Sequence, residues 1–218
     1  MNKRLMFSAV LVMALLSANA QKRAFTIEDL YRVKGVSSVS LSPDGKTVCY
    51  TASSSDLKNQ KSSSDIYIMN ADGSHVKALT ENGKSSSAVW SKDGKSIFFT
   101  NYEKGTAQIF RMDLTTCETE QVTDYELGIG SPVISPDERY IAFTAEVYPD
   151  LGADAKANKA RMEKKKQGPV QAHIADKLLY RHWTSYSDGR CNHLILFDTQ
   201  TKTYKDLTPG NYSLIFVV

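Results

Sequence analysis

The side chains best suited to binding chemistry gather in one short run, YRHWTSYSDGR at 180–190, which holds His182, Trp183, Asp188 and Arg190. A carboxylate such as Asp188 can hold a ligand's ammonium, because a buried charge without a partner is costly to desolvate. The same residues have a plainer use. Asp188-Gly189 is a turn pair, Arg190 can bond Asp188 across it, and His182 and Trp183 can pack the stretch onto its neighbours. These four are the candidate substrate-binding residues, and no catalytic set accompanies them. A serine on a nucleophile elbow needs G-x-S-x-G, which occurs nowhere in the chain. The four histidines, His75, His173, His182 and His193, stand beside no nucleophile placed by a motif. Asp44, Asp93 and Asp137 recur in one motif, but each brings one oxygen where a calcium loop needs several. Zinc spacings and phosphate-cradling glycine loops are absent, so no metal and no cofactor is expected. The three cysteines, Cys49, Cys117 and Cys191, form neither a disulfide framework nor a C-x-x-C pair. Cys49 lies in an apolar run and reads as a small core residue. Cys117 and Cys191 fall near turns and leave a single bridge open.

Such residues need a scaffold, and the composition allows one. The chain has 218 residues, 41% hydrophobic and 23% charged, enough to bury a core. Its formal charge of +3 falls to +1 without Lys3 and Arg4, which argues for neither nucleic acid nor an anionic membrane as partner. Residues 1–20 read as a signal peptide. Lys3 and Arg4 precede an apolar stretch from Leu5 to Leu16, and Ala18-Asn19-Ala20 is a cleavage site ahead of Gln21. The apolar stretch is too short to span a bilayer comfortably. The expectation is an exported protein, periplasmic or secreted, with no membrane span after cleavage. Residues 21–35 form a lead-in, with FTIEDLYR at 25–32 a short helix capped by Thr26 and carrying Glu28 and Asp29 in its first turn.

From residue 36 onward one unit occurs three times. SPDGK at 42–46, SKDGK at 91–95 and SPDER at 135–139 are followed by the apolar runs TVCYT, SIFFT and YIAFT. Each copy closes with a 16-residue segment, at 65–80, 108–123 and 193–208, that ends in Leu-Thr or Val-Thr. Pro, Asp and Gly are turn residues, and the β-branched and aromatic runs are strands. Two hairpins per unit, at a period of 40–50 residues, are the mark of a β-propeller blade. The chain is therefore expected to be all-β: a partial propeller of about three four-stranded blades plus one strand, with a short N-terminal helix and a partly helical insertion in the third blade. The blades fall at about 36–80, 86–123 and 130–208. The insertion covers 145–192, because 49 residues separate Thr144 from His193 where 8 separate Thr100 from Gln108. Within it, Ala153–Gln167 is an exposed helix or a loop, and Ala172–Tyr180 a second short helix. Residues 213–218 would start a fourth blade. An incomplete propeller of 36–218 cannot close a ring, so the chain reads as truncated.

The S-P-D-G-K turn, the I-x-F-T strand and the hairpin ending in Leu-Thr resemble the propeller repeat of the prolyl oligopeptidase family of serine peptidases and of TolB-type periplasmic propellers. The opening FTIEDLYRVKGVSSVSLSPDGKTVCY and the inserted DKLLYRHWTSYSDGRCNHLILFD are similar to segments of dipeptidyl-peptidase and acylaminoacyl-peptidase-type members. The resemblance implies the substrate-gating propeller of an exported peptidase acting on short peptides through the full-length protein. The nucleophile would then lie in a C-terminal α/β-hydrolase domain, so the 218 residues alone are expected to be inactive. A TolB-like protein-binding module is the alternative.

Overall fold

The computed structural model describes residues 23–169, 172 and 181–213. The leader at 1–20, the proposed helix at 172–180 apart from Ala172, the fourth-blade strand beyond Ser213 and the side chain of His182 lie outside the described residues. The capped helix is present as α1 (Ile27–Arg32). Asp29 accepts from the Thr26 backbone N–H at 2.9 Å and pairs with Arg23. These contacts hold the carboxyl well below the usual carboxylate range, with Arg23 the chief cause.

Three antiparallel four-stranded sheets follow, each in simple sequential order. Blade 1 comprises β1 (Gly35–Leu41), β2 (Thr47–Asp56), β3 (Lys61–Asn70) and β4 (Lys77–Ala78). Blade 2 comprises β5 (Ser85–Trp90), β6 (Ser96–Asn101), β7 (Gln108–Asp113) and β8 (Thr119–Gln121). Blade 3 comprises β9 (Gly130–Ile134), β10 (Tyr140–Val147), β13 (Cys191–Asp198) and β14 (Thr203–Asp206). Two short strands, β11 (Arg181–His182) and β12 (Ser185–Tyr186), form a separate hairpin inside the third blade's insertion.

The two-residue period of a strand decides what each blade touches. In blade 2, Ile97, Phe99 and Met112 point one way and form a core with Cys49, Ile66 and Ala88. Phe98 and Ile109 point the other way and form a second core with Ile141, Phe143, Ile195 and Phe197. Fully burying one such side chain contributes about 1.5–3 kcal/mol, so blade 2 is held on both faces. Cys49 is wholly buried, as its position in an apolar run suggests, and burial pushes its thiol up to about 11. The three cysteines are unpaired, with Cys117 exposed and Cys191 half-buried.

Each first-to-second-strand turn is built by the same relay. Ser42 Oγ donates to Asp44 at 2.6 Å, Asp44 accepts from the Lys46 N–H at 3.1 Å, and Ser42 Oγ accepts from the Thr47 N–H at 2.9 Å. Ser91 and Asp93 repeat the pattern in blade 2, and Ser135 and Asp137 in blade 3. Gly45 and Gly94 take positive φ in the first two turns, and Glu138 takes the same conformation, φ 59°, in the third. We call this side of the molecule the turn edge.

Candidate functional site

The opposite side, the head edge, collects the starts of the third strands, the links between blades and the insertion. The insertion's main element is α2 (Ala155–Gln167). It has no apolar stripe, which is why its sequence leaves helix and loop open. Polar anchors hold it instead. Asp154 caps it by accepting from the Ala157 N–H at 2.9 Å. Asn158 is fully buried; it accepts from the Tyr148 N–H at 2.6 Å and donates to the carbonyls of Gly152 and Asp154. Arg161 bonds both oxygens of Asp150 and lies over the Tyr148 ring.

Asp188 and Arg190 meet beside this helix. Arg190 Nε donates to Asp188 Oδ2 at 2.8 Å, and its backbone N–H donates to Oδ1 at 3.1 Å. Two further groups complete the cluster. Glu146, at the end of β10, binds Arg190 at 3.1 Å, and Lys165 on α2 donates to the Asp188 carbonyl at 2.7 Å. Two carboxylates and two cations balance, so the cluster as built is an ion network joining β10, α2 and β13. Sequence reasoning missed Glu146 because it lies 42 residues from Asp188; the signal was its place near the end of a strand whose partner carries Asn192. Trp183 sits at the tip of the β11–β12 hairpin with positive φ, and its ring is 85% exposed. The expectation that it packs the insertion onto the blade is corrected: the two-residue turn turns the ring outward. His182 shares that hairpin, paired through its backbone with Ser185.

The head edge holds a further set that the sequence did not single out. Asp65, Gln108 and His193 each begin a closing 16-mer. Asp65 Oδ1 accepts from Thr80 Oγ1 and the Gly83 N–H, both at 3.0 Å. Gln108 accepts from Thr123 Oγ1 and the Tyr125 N–H and donates to the Tyr125 carbonyl at 2.7 Å. His193 is fully buried, with Nδ1 2.7 Å from Asp206 and Nε2 3.0 Å from the Gly210 carbonyl. In all three blades the terminal threonine accepts from the backbone N–H that follows, those of Ile66, Ile109 and Leu194. One position therefore clamps the link leaving each blade, with three different side chains. Both groups at His193 are acceptors, so closing both bonds takes a hydrogen on each ring nitrogen, or one on the ring and one on Asp206. In a Ser-His-Asp triad the second ring nitrogen takes the nucleophile's proton; here a backbone carbonyl occupies it, which makes His193 a structural group. Nearby, burial raises the Tyr125 and Tyr204 phenols, the charge of Asp206 adding to the effect at Tyr125.

Among the described residues, no group of three His, Cys, Asp or Glu side chains could hold a metal ion, and no helix is long and apolar enough to cross a membrane. The TolB beta propeller domain family matches residues 15–167. A dipeptidyl-peptidase 5 of Porphyromonas gingivalis is 30% identical over 80% of this chain and 25% of its own length. That of Porphyromonas endodontalis is 28% identical over 77% of this chain and 23% of its own length. The chain thus spans about a quarter of the length of these relatives. Among solved structures, the acylaminoacyl peptidase of Pyrococcus horikoshii matches with a TM-score of 0.60 at 19% identity, over 83% of this chain and 26% of that one. At that identity the likeness concerns the fold.

Proposed function

The chain belongs to the TolB β-propeller domain family, and we propose that it is the substrate-gating propeller portion of an exported serine peptidase that cleaves short peptides. The observation that carries this reading is the match to the two dipeptidyl-peptidase 5 proteins, which covers over three-quarters of this chain but only a quarter of theirs. Those proteins are named as peptidases, and these 218 residues contain no nucleophile elbow. The chemistry would therefore reside in sequence beyond them. In this reading the inner strands of the stacked blades would line a path to such a site, and the insertion adds the polar cluster of Asp188, Arg190 and Glu146 at the head edge. The basic, apolar and A-x-A pattern of residues 1–20 supports export.

A second reading rests on the family match itself. A TolB-type propeller can act as a binding module with no hydrolase attached. One experiment separates the two. The native product is labelled in its own cells with a fluorophosphonate probe and identified with an antibody to residues 21–218. A labelled species much larger than this chain is the expected result. An unlabelled species no larger than the chain would overturn the peptidase reading and favour the binding module.

A further inference from the structure

The links that the head edge clamps differ in what they would do if released. Asn82-Gly83, in the link from blade 1 to blade 2, is the one Asn-Gly pair in the chain. An asparagine followed by glycine can lose its side-chain amide without an enzyme, because glycine carries no side chain to hinder the approach of its nitrogen. The Gly83 nitrogen attacks Asn82 Cγ, and a C–N bond forms. The Cγ–Nδ2 bond breaks, and ammonia leaves with the proton that Gly83 gives up. Water then opens the five-membered succinimide at either carbonyl, which yields aspartate or isoaspartate. The reaction needs two freedoms: a Gly83 N–H released from its partner, and an Asn82 side chain able to swing toward it.

In the folded chain both are taken. The Gly83 N–H donates to Asp65 Oδ1 at 3.0 Å. Asn82 Oδ1 accepts from the Lys84 N–H and from Ser85 Oγ, both at 3.0 Å. Ser85 is fully buried and accepts in turn from Asn101 Nδ2 at 3.0 Å. The main chain is pinned as well: the Ser64 N–H donates to the Gly83 carbonyl at 3.0 Å, and the Tyr102 N–H to the Lys84 carbonyl at 3.1 Å. Asn82 itself is exposed, so water can arrive and ammonia can leave, and the hydrogen bonds are what restrains the reaction. We propose that Asn82 is a site of spontaneous deamidation kept silent by the Asp65 clamp, and that it is modified when the first link opens. The bond to a carboxylate is charge-assisted and must break first. Isoaspartate adds a methylene to the main chain just before Gly83, which takes the Asp65 and Ser64 bonds out of register. An opening that lasts long enough for the chemistry therefore becomes permanent. The site stands whether or not the chain gates a peptidase.

The test incubates the full chain at neutral pH, folded and in urea, and follows residue 82 by peptide mapping with mass detection, which separates asparagine, aspartate and isoaspartate. The folded wild type is expected to convert at least about tenfold more slowly than the urea-unfolded chain, the effect of one charge-assisted hydrogen bond that must break first. Asp65→Ala is expected to raise the folded rate about tenfold, and Asp65→Asn, which keeps an acceptor for Gly83, to raise it less. Should Asp65→Ala not fold, the wild type in urea below its unfolding transition decides: conversion should quicken in step with hydrogen exchange at Gly83. A folded wild type that converts as fast as the unfolded chain, a folded Asp65→Ala variant no faster than the wild type, or conversion that does not follow Gly83 exchange would overturn the proposal.

Discussion

The turn edge and the head edge of the blades solve the same problem, ending a strand without stranding its polar groups, in opposite ways. At the turn edge Ser42, Ser91 and Ser135 perform one relay with Asp44, Asp93 and Asp137. The partners lie two to five residues apart, so the chemistry is local and the residue types are fixed. At the head edge Asp65, Gln108 and His193 perform one task with three chemistries, and their partners lie 13 to 18 residues away. The head edge also carries the insertion, α2 and the Asp188–Arg190–Glu146 cluster. A repeat protein can vary where long-range contacts leave several solutions, and that side is where this one differs from blade to blade.

If that contrast is right, damage at the head edge should cost more than damage at the turn edge. The largest loss is expected for His193→Ala, which takes the ring's bonds from the Gly210 carbonyl and from Asp206, leaving that carboxylate only the Thr208 N–H. Each buried polar group left unsatisfied costs about 1–3 kcal/mol, measurable as a fall in the urea midpoint. Gln108→Ala should follow. It strands the Tyr125 N–H, while the Tyr125 carbonyl keeps the Gly128 N–H, and an unsatisfied buried group costs about 1–3 kcal/mol; hydrogen exchange at Tyr125 and Ile129 should rise with it. Asp93→Ala at the turn edge, where the side chain is exposed, is expected to shift the midpoint less than either.

The turn edge is also the acid-sensitive side. Hydrogen bonds from Ser42 and Ser135, and from the backbone at Lys95, hold the three turn aspartates below the usual carboxylate value. A lowered folded pKa gives stability that is present above the unfolded value and lost as pH falls through the folded one. Exchange at Lys46, Lys95 and Arg139 should therefore quicken below about pH 4, while that at Tyr125, held by a glutamine, should not follow. The smallest effect has the opposite sign. Glu138 sits in the left-handed region that Gly45 and Gly94 occupy, so Glu138→Gly should stabilise blade 3 by about 0.5–1 kcal/mol.

The same contrast explains what the residues disclosed beforehand. The three turns, the strands after them and the closing hairpins were legible because serine, aspartate, glycine and β-branched runs act over a few positions. α1 was legible through Thr26 and Asp29. α2 was left between helix and loop because its hold on the blade is one buried amide, Asn158, and not an apolar face. The extension of β2 and β3 to Asp56 and Lys61 went unread, since its rungs are serines, Ser54 against Ser63 among them. The strand heads were in register at the first position of each 16-mer, yet aspartate, glutamine and histidine do not look like one residue. Glu146 joined Arg190 only through the pairing of β10 with β13.

Placing glutamine at position 193, the residue type of blade 2, tests most directly whether one position clamps every link irrespective of its chemistry. Urea unfolding of His193→Gln beside His193→Ala is the measurement. Glutamine is predicted to recover at least about half of the alanine variant's loss, because it keeps a donor for Gly210. A glutamine variant no more stable than the alanine one would contradict the account, and would make the histidine and its aspartate a feature of blade 3 alone.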